Sequence, residues 1–474
     1  MFPVRASVDS GASTSPRMRE MTHEAPTPSS PGINVIGILS TGTGLGAAGR
    51  STLSVLNARK IAHVAIDLGL SGHATMEPIP TSAPRFSALS GLPYGVSVFQ
   101  LNPDSFDNLV LRWARRTGLD RESTLNAIVP FWELPRIPES WVPLLELFDV
   151  VLAPTRFVHD AVLAGVSGEM MPNIIEYPQA IRPPHSAVPD RTRWFKNRAD
   201  RTTFLCTFDI LSDIERKNPW ASIEAFQAAF AGRDDVSLVV KVGNANTARH
   251  AERFARLREL AARDERIALM TEHLSRDDLW SLSASADAYV SLHRAEGLGL
   301  GMMEAMSVGT PTVATGWSGN LDFMDSENSI LIPYTLIPVS DVSHPLYAGE
   351  HGQQWADPDI DAAAKALRSL ADSPELRARL GEAARVSMEE RWRRQAVPGV
   401  FDELLELAAS GLTDTPLHAA RVKAAKRYVR EKTYSPAAVL ESAKRTGGRL
   451  LRRVGLKPPY PPDHFHWGPP EILS

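Results

Sequence analysis

The chain holds a single cysteine, Cys206, among 474 residues. That excludes a disulfide framework within the chain and leaves no set for a cysteine-based zinc site. A reducing compartment is the expected setting. No apolar run is long enough to span a bilayer, and the first residues lack the apolar centre of a secretion signal. A basic surplus is missing too. Lys and Arg number 51 against 55 Asp and Glu, a net charge of -4, so the molecule offers no overall field to a phosphate backbone. The expectation is a globular cytoplasmic protein with no nucleic-acid partner.

What is present is an alternation. Short runs rich in β-branched residues, at 34–39, 63–68, 96–101, 127–132 and 150–155, are spaced by helical segments. That rhythm predicts a parallel sheet covered by helices. A polar, Pro-bearing stretch at 183–201 interrupts it as a linker would. It then restarts with strand candidates at 203–210, 236–243, 267–272, 288–293 and 310–315 and helices at 219–231, 248–263, 276–285 and 301–308. The fold class is α/β, with two Rossmann-like units and a cleft between them. The expected division is a disordered tail over 1–31, a first domain over 32–195, a second over 196–390, and a helical, basic extension over 391–474. Two facing parallel sheets place a ligand cleft at their carboxyl edges.

The stretch HRAEGLGLGMMEAM (293–306) carries the chemistry. A strand ends before it and a helix begins within it, so its glycines form a strand-to-helix turn. Such a turn points unpaired N–H groups outward, reinforced by the helix dipole, and suits a phosphate. The amides of Gly297, Leu298 and Gly299 are the expected donors. Glu304, about one turn into the helix, can accept two hydrogen bonds from a ribose diol. Glu296, at the strand end, lies where a reacting sugar would be. The segment FDILSDIERKNPWASIEAF (208–226) follows another strand, and its Arg216 and Lys217 would supply charge-assisted contacts to a diphosphate. Trp132 and Glu133 end a strand of the first unit, on the opposite side of the cleft.

A rival reading arises from Gly44-x-Gly46-x-x-Gly49, which follows a strand and precedes a helix, with Asp67 at the end of the next strand. That is a dinucleotide fingerprint and would imply an NAD-binding oxidoreductase. The loop before Gly44 is longer than the fingerprint's tight turn. No Asp-x-Asp pair lies near the cleft motifs, so no metal is expected. The run His418–Lys457 has twelve Lys/Arg and two Glu, which suits contact with anionic lipid.

EGLGLGMMEAMSVGTPTVAT closely resembles the E-x7-E signature of retaining glycosyltransferases of the GT-B fold, group 1 or family 4 type. GLGAAGRSTLSVL, FWELPRIPESW, APTRFV, RKNPWASIEAF and TGWSGNLDFM extend the resemblance, over roughly residues 33–400, to bacterial enzymes of O-antigen and exopolysaccharide assembly. The resemblance implies a hexosyl transfer from a nucleotide sugar, with a GDP-linked mannose or related sugar favoured, onto a glycan or lipid-linked acceptor. It gives Arg216 and Lys217 the diphosphate, and makes Gly44, Gly46 and Arg50 the loop facing the donor from the first domain. No cofactor beyond the donor is expected, and the expected location is cytoplasmic, with the basic run over 418–457 suiting peripheral contact with the inner face of the membrane. One departure stands out. Relatives carry an extra Arg before the Lys, where this chain has Asp209, Leu211 and Ser212. None of His63, His73, His159 and His185 matches the family's first-domain histidine, and His293 reads as a structural strand-end residue. A non-catalytic scaffold on the same fold is the further alternative.

Overall fold

A computed structural model describes residues 30–68, 79, 92–105, 122–245, 251–339, 347, 352–395 and 399–434. The expected tail over 1–31 lies outside these except for Ser30 and Pro31, which already belong to the first strand. His73 and the basic residues beyond Tyr434 also lie outside them.

The first sheet has strands β1 (Ser30–Gly37), β2 (His63–Asp67), β3 (Tyr94–Gln100), β4 (Leu125–Ile128), β5 (Val150–Ala153) and β6 (Asn173–Glu176), in the order β2-β1-β3-β4-β5-β6. All pairs are parallel. Among the described residues up to 176 its α-helices are α1 (Gly44–Ala58), the single turn α2 (Val142–Leu145) and α3 (Arg156–Gly165). Both faces are covered, which is why its strands read as continuous apolar runs rather than alternating ones. Ile36, Phe99, Trp132, Trp141 and Phe148 fill one side, and Val35, Leu53, Val98 and Leu152 fill the other.

The expected linker is not bare chain. It contains α4 (Arg191–Phe195), whose Trp194 and Phe195 are buried. The second sheet follows: β7 (Thr202–Asp209), β8 (Val236–Gly243), β9 (Ile267–Met270), β10 (Ala288–Ser291), β11 (Thr312–Thr315) and β12 (Ile330–Ile332), ordered β12-β11-β10-β7-β8-β9 and again parallel. Between them run α5 (Ile214–Lys217), α6 (Pro219–Ala229), α7 (Ala251–Ala262), α8 (Arg276–Ser285) and α9 (Leu300–Ser307). The strand direction of travel reverses between β7 and β10. In an open parallel sheet that reversal leaves a crevice outside the carboxyl ends, where ligands bind. The hairpin β13 (Tyr334–Pro338) and β14 (Gln354–Pro358) then leans on the first domain, burying Trp355 in its core.

Helix α10 (Ile360–Asp372) closes the second domain, and α11 (Pro374–Gln395) crosses back. Arg391 near its end donates from Nε to the Gln179 carbonyl (2.9 Å) and from Nη1 to the Asp322 carbonyl (3.0 Å), tying the two domains. Helices α12 (Val400–Ala409) and α13 (Pro416–Tyr434) lie on the first sheet. Phe401 and Leu404 are fully buried in its core, each contributing on the order of 2 kcal/mol of apolar burial. Within the segment expected as an extension, helices α12 and α13 are packed structure of the first domain.

Candidate functional site: a charged pocket at the carboxyl edge of the second sheet

Local sequence explains how the basic pair is presented. Asp213 Oδ1 caps α5 by accepting from the N–H groups of Glu215 (2.9 Å) and Arg216 (3.3 Å). The helix stops after one turn because Asn218 adopts a left-handed conformation (φ 48°), which Asn tolerates better than most residues, and Pro219 opens α6. Asn218 Nδ2 donates to the Leu292 carbonyl (3.0 Å), fastening this corner to the end of β10. Arg216 and Lys217 thus end one helix turn, where its dipole favours cations.

Beyond β10 the chain is pinned at each step. Thr315 Oγ1 donates to the His293 carbonyl, the Arg294 N–H donates to the Arg216 carbonyl, and the Glu296 N–H donates to Ser318 Oγ (2.8 Å). His293 is buried, its ring bridging Ser291 to Asn320 (3.2 Å) and the Trp317 carbonyl (3.3 Å). Burial lowers its pKa, with Glu296 opposing. It joins the strand end to the 317–320 turn, as a structural residue would.

Glu296 is the centre of the pocket. Lys217 Nζ donates to its Oε1 at 2.5 Å and Arg216 Nη1 lies 3.2 Å from its Oε2. Burial acts against its charge, but Lys217 and then Arg216 outweigh it and hold the carboxyl down to about 2. Arg216 is buried as well, at 3% exposure. Burial disfavours its charge too, and Glu133 and Glu296 reverse the balance. Glu133 comes from the first domain, 3.6 Å from Arg216 Nη2, and accepts from Tyr347 Oη at 2.8 Å. The two cations and two carboxylates balance before any ligand arrives. An anionic ligand would therefore have to draw on a further source of positive potential.

That source is the start of α9. Gly299, its N-cap, has φ 96°, a conformation that favours glycine, and no side chain caps the helix. The first N–H groups have no partner within the helix, and the dipole adds to them. Gly297 is required by closeness: a Cβ there would lie 2.9 Å from the Trp132 carbonyl of the first domain, and its own carbonyl accepts from Thr155 Oγ1 at 2.8 Å. Leu298 turns its side chain into the core, leaving only its backbone for the pocket. Glu304, half-buried on the next turn of α9, has Oε1 engaged by Arg276 Nη1 of α8 at 2.9 Å.

The first domain contributes its glycine loop from across the seam. Gly44 faces Leu300, whose Cδ1 would be 3.8 Å from an added Cβ. Gly46 is locked against the Thr41 carbonyl, with which an added Cβ would collide. Thr43 caps α1 by accepting from the Gly46 N–H. Arg50 is buried, and its Nη1 donates to the carbonyls of Leu39 (2.9 Å) and Thr41 (2.7 Å), bracing the loop. Asp67, the acid of the dinucleotide fingerprint, accepts from the Ser40 N–H of the same loop (3.3 Å). Trp132, expected on the acceptor side, instead packs in the core against Trp141 and Tyr347, with Nε1 donating to the Arg136 carbonyl. Sequence reasoning missed Tyr347 and Arg276, which lie in no motif. Glu133 was noted there without its ion pair to Arg216. Asp209 accepts from Leu211 N–H (2.9 Å) and Asn244 Nδ2 (2.7 Å), so it serves its own turn.

Residues 203–343 match the family model for glycosyl transferases group 1. No curated protein matches the chain. Among solved structures the chain is similar to Anabaena HepE in complex with UDP-glucose, at 13% identity and TM-score 0.54, covering 81% of this chain and 100% of that one. It is also similar to the E. coli trehalose-6-phosphate protein bound with UDP-2-fluoro glucose, at 13% identity and TM-score 0.52, covering 81% and 99%. The chain spans 56% of the length of a mutant of S. aureus TarM, at 15% identity, 68% of this chain and TM-score 0.46. The two sheets are thus those of a GT-B fold, and residues 203–343 are similar to the glycosyl transferases group 1 family.

Proposed function

We propose that the chain is a retaining glycosyltransferase that moves a hexose from a nucleoside-diphosphate sugar onto a glycan or lipid-linked acceptor. One observation carries the reading: Arg216 and Lys217 converge on Glu296 beside the uncapped start of α9, at the reversal point of the second sheet. Backbone amides of Gly297, Leu298 and Gly299, with Lys217 and Arg216, take the diphosphate and stabilise its charge as the sugar departs. Glu304 takes the ribose, and Glu296 orients the sugar ring. Retention follows from the resemblance to group 1 enzymes. On that reading the acceptor hydroxyl attacks the anomeric carbon as the bond to phosphate breaks, and the phosphate oxygen takes the proton.

A GDP-linked mannose or related sugar is the donor favoured by the sequence motifs. UDP-sugars are the competing choice, since HepE and the E. coli protein carry UDP-glucose and UDP-2-fluoro glucose. Cell-surface polysaccharide assembly is the proposed setting, with the enzyme peripheral on the inner face of the membrane. Helix α13 suits that contact: His418, Arg421, Val422 and Ala425 are buried against the first domain while Lys423, Lys426, Arg427 and Arg430 are exposed on the opposite side.

Calorimetric titration with GDP, UDP, ADP and NAD, repeated on Glu304→Ala, tests the donor half. Binding of one diphosphate, weakened about ten-fold or more by the substitution, is expected. Preference for NAD would replace the reading with an oxidoreductase. Incubation with the preferred donor and candidate glycans, read by the anomeric signals of the product, tests retention.

A further inference from the structure

Lys241 is used by none of these steps, yet it is a buried ammonium at the same edge of the same sheet. It lies near the end of β8, paired with Thr207 of β7 and Met270 of β9. Its face follows from alternation along the strand. Phe204, Val240 and Val242 pack on the side of α6 and α10, whereas Leu205 and Val239 pack with Trp280, Met302 and Met306 of α8 and α9. Lys241 falls in the second set. Its ladder partner Thr207 reaches the first turn of α9, where Oγ1 lies 3.3 Å from a Cβ built on Gly301.

The carboxyl edge therefore carries an ordered row of groups. Glu296 follows β10, Arg216 and Lys217 follow β7, Lys241 ends β8, and the chain after β9 leads to Arg276, which grips Glu304. With the sugar and diphosphate over β10 and β7 and the ribose at Glu304, the nucleobase extends over β8 and β9. Lys241 is 8% exposed. Its Nζ has three donors, but its hydrogen bond is a long one, 3.4 Å to the Val242 carbonyl. Among the described residues no carboxylate lies within salt-bridge reach. Asp209 and Glu272 favour its charge from further off, and burial still pushes the ammonium pKa down. A buried charge with so little compensation is costly unless a ligand completes it.

We infer that Lys241 is the base-reading residue of the donor pocket, donating to a ring carbonyl oxygen of the nucleobase and so selecting uracil or guanine over adenine. Guanine O6 and the uracil carbonyls accept a hydrogen bond. Adenine presents an amino group at the corresponding edge, so against a lysine it is a second donor. The inference rests on the glycosyltransferase reading and deepens it.

The test is calorimetric titration of UDP, GDP and ADP into the full chain and into Lys241→Met and Lys241→Arg, with thermal unfolding as the fold control. Wild type is expected to prefer UDP or GDP to ADP. Lys241→Met should weaken the preferred diphosphate by about 10- to 100-fold and ADP by less than about two-fold, and Lys241→Arg should restore part of the difference. An equal loss for all three would put the lysine on the phosphates and overturn base reading. Unchanged binding, or a wild type that prefers ADP, would overturn it as well. A wild type that binds no diphosphate at all would sink the transferase reading itself, and this inference with it.

Discussion

Glu296 keeps its charge in a buried setting because two cations touch it, and removing that charge changes the site in two directions at once. Glu296→Gln should lower kcat by about 100-fold, on the scale of losing one preorganised charged contact. It should leave diphosphate affinity unchanged or improved, since Lys217 and Arg216 lose a competitor; steady-state kinetics with direct titration separates the two. The same group has a pH signature. Its folded pKa is depressed from 4.5 to about 2, so its stabilisation is present above the unfolded value and lost as pH falls from 4.5 through 2. Acid unfolding of wild type should therefore show a component in that window that Glu296→Gln lacks. At Gly297 the constraint is space. Gly297→Ala would drive a methyl against the Trp132 carbonyl, so the seam between domains must open. Transfer should fall by at least about ten-fold while the thermal midpoint moves by only a few degrees.

Helix α13 shows what a compositional reading can and cannot supply. Its basic content was plain, but its periodic face was not, because the face is made of His418, Arg421, Val422 and Ala425 rather than of large apolar residues. His418 Nδ1 meets Asp149 Oδ1 at 2.9 Å and its Nε2 meets the Glu122 carbonyl. Arg421 lies 3.6 Å from the same Asp149. The Asp149 hydrogen bond raises the His418 pKa against burial. The docking energy tied to its charge is thus fully present below about pH 6.5 and is lost as pH rises through the raised value. Wild type should lose thermal midpoint over that rise and His418→Gln should not. Asp149→Asn should cost about 3 kcal/mol, because it strands two buried cationic groups. Elsewhere the elements were legible where strands were long and fully buried: β8 and α8 fall on their expected bounds, and β7 and α9 within one residue. The short, half-exposed β6 and the hairpin β13–β14 were not. Their stabilisation comes from partners far away in sequence, which local periodicity cannot register. The same holds within the site: the spacing of Glu296 and Glu304 marked the pocket, whereas Glu133 reaches Arg216, and Tyr347 reaches Glu133, only through the fold.

Across the whole molecule the two domains are fastened by polar contacts at the carboxyl edge of the second sheet: Arg216 to Glu133, Thr155 to Gly297, and Tyr347 to Glu133. Glu133→Ala should loosen that fastening, seen as a larger radius of gyration by solution scattering without donor, while the second domain's diphosphate affinity stays within about two-fold. Equal scattering profiles would assign the closed arrangement to α11 and the hairpin instead. The return of α11 has another consequence, one of timing. The first domain is assembled from two separated pieces of the chain, since residues 400–434 cover the sheet begun at residue 30. The second lies uninterrupted between those two pieces. During synthesis the early strands must therefore wait, with the bed of Phe401 and Leu404 exposed, until the intervening domain has been made. A fragment ending at residue 185 should aggregate, a fragment over 190–395, which keeps Trp194 and Phe195 with the core they fill, should fold alone, and helices α12 and α13 decide whether the half made first becomes stable.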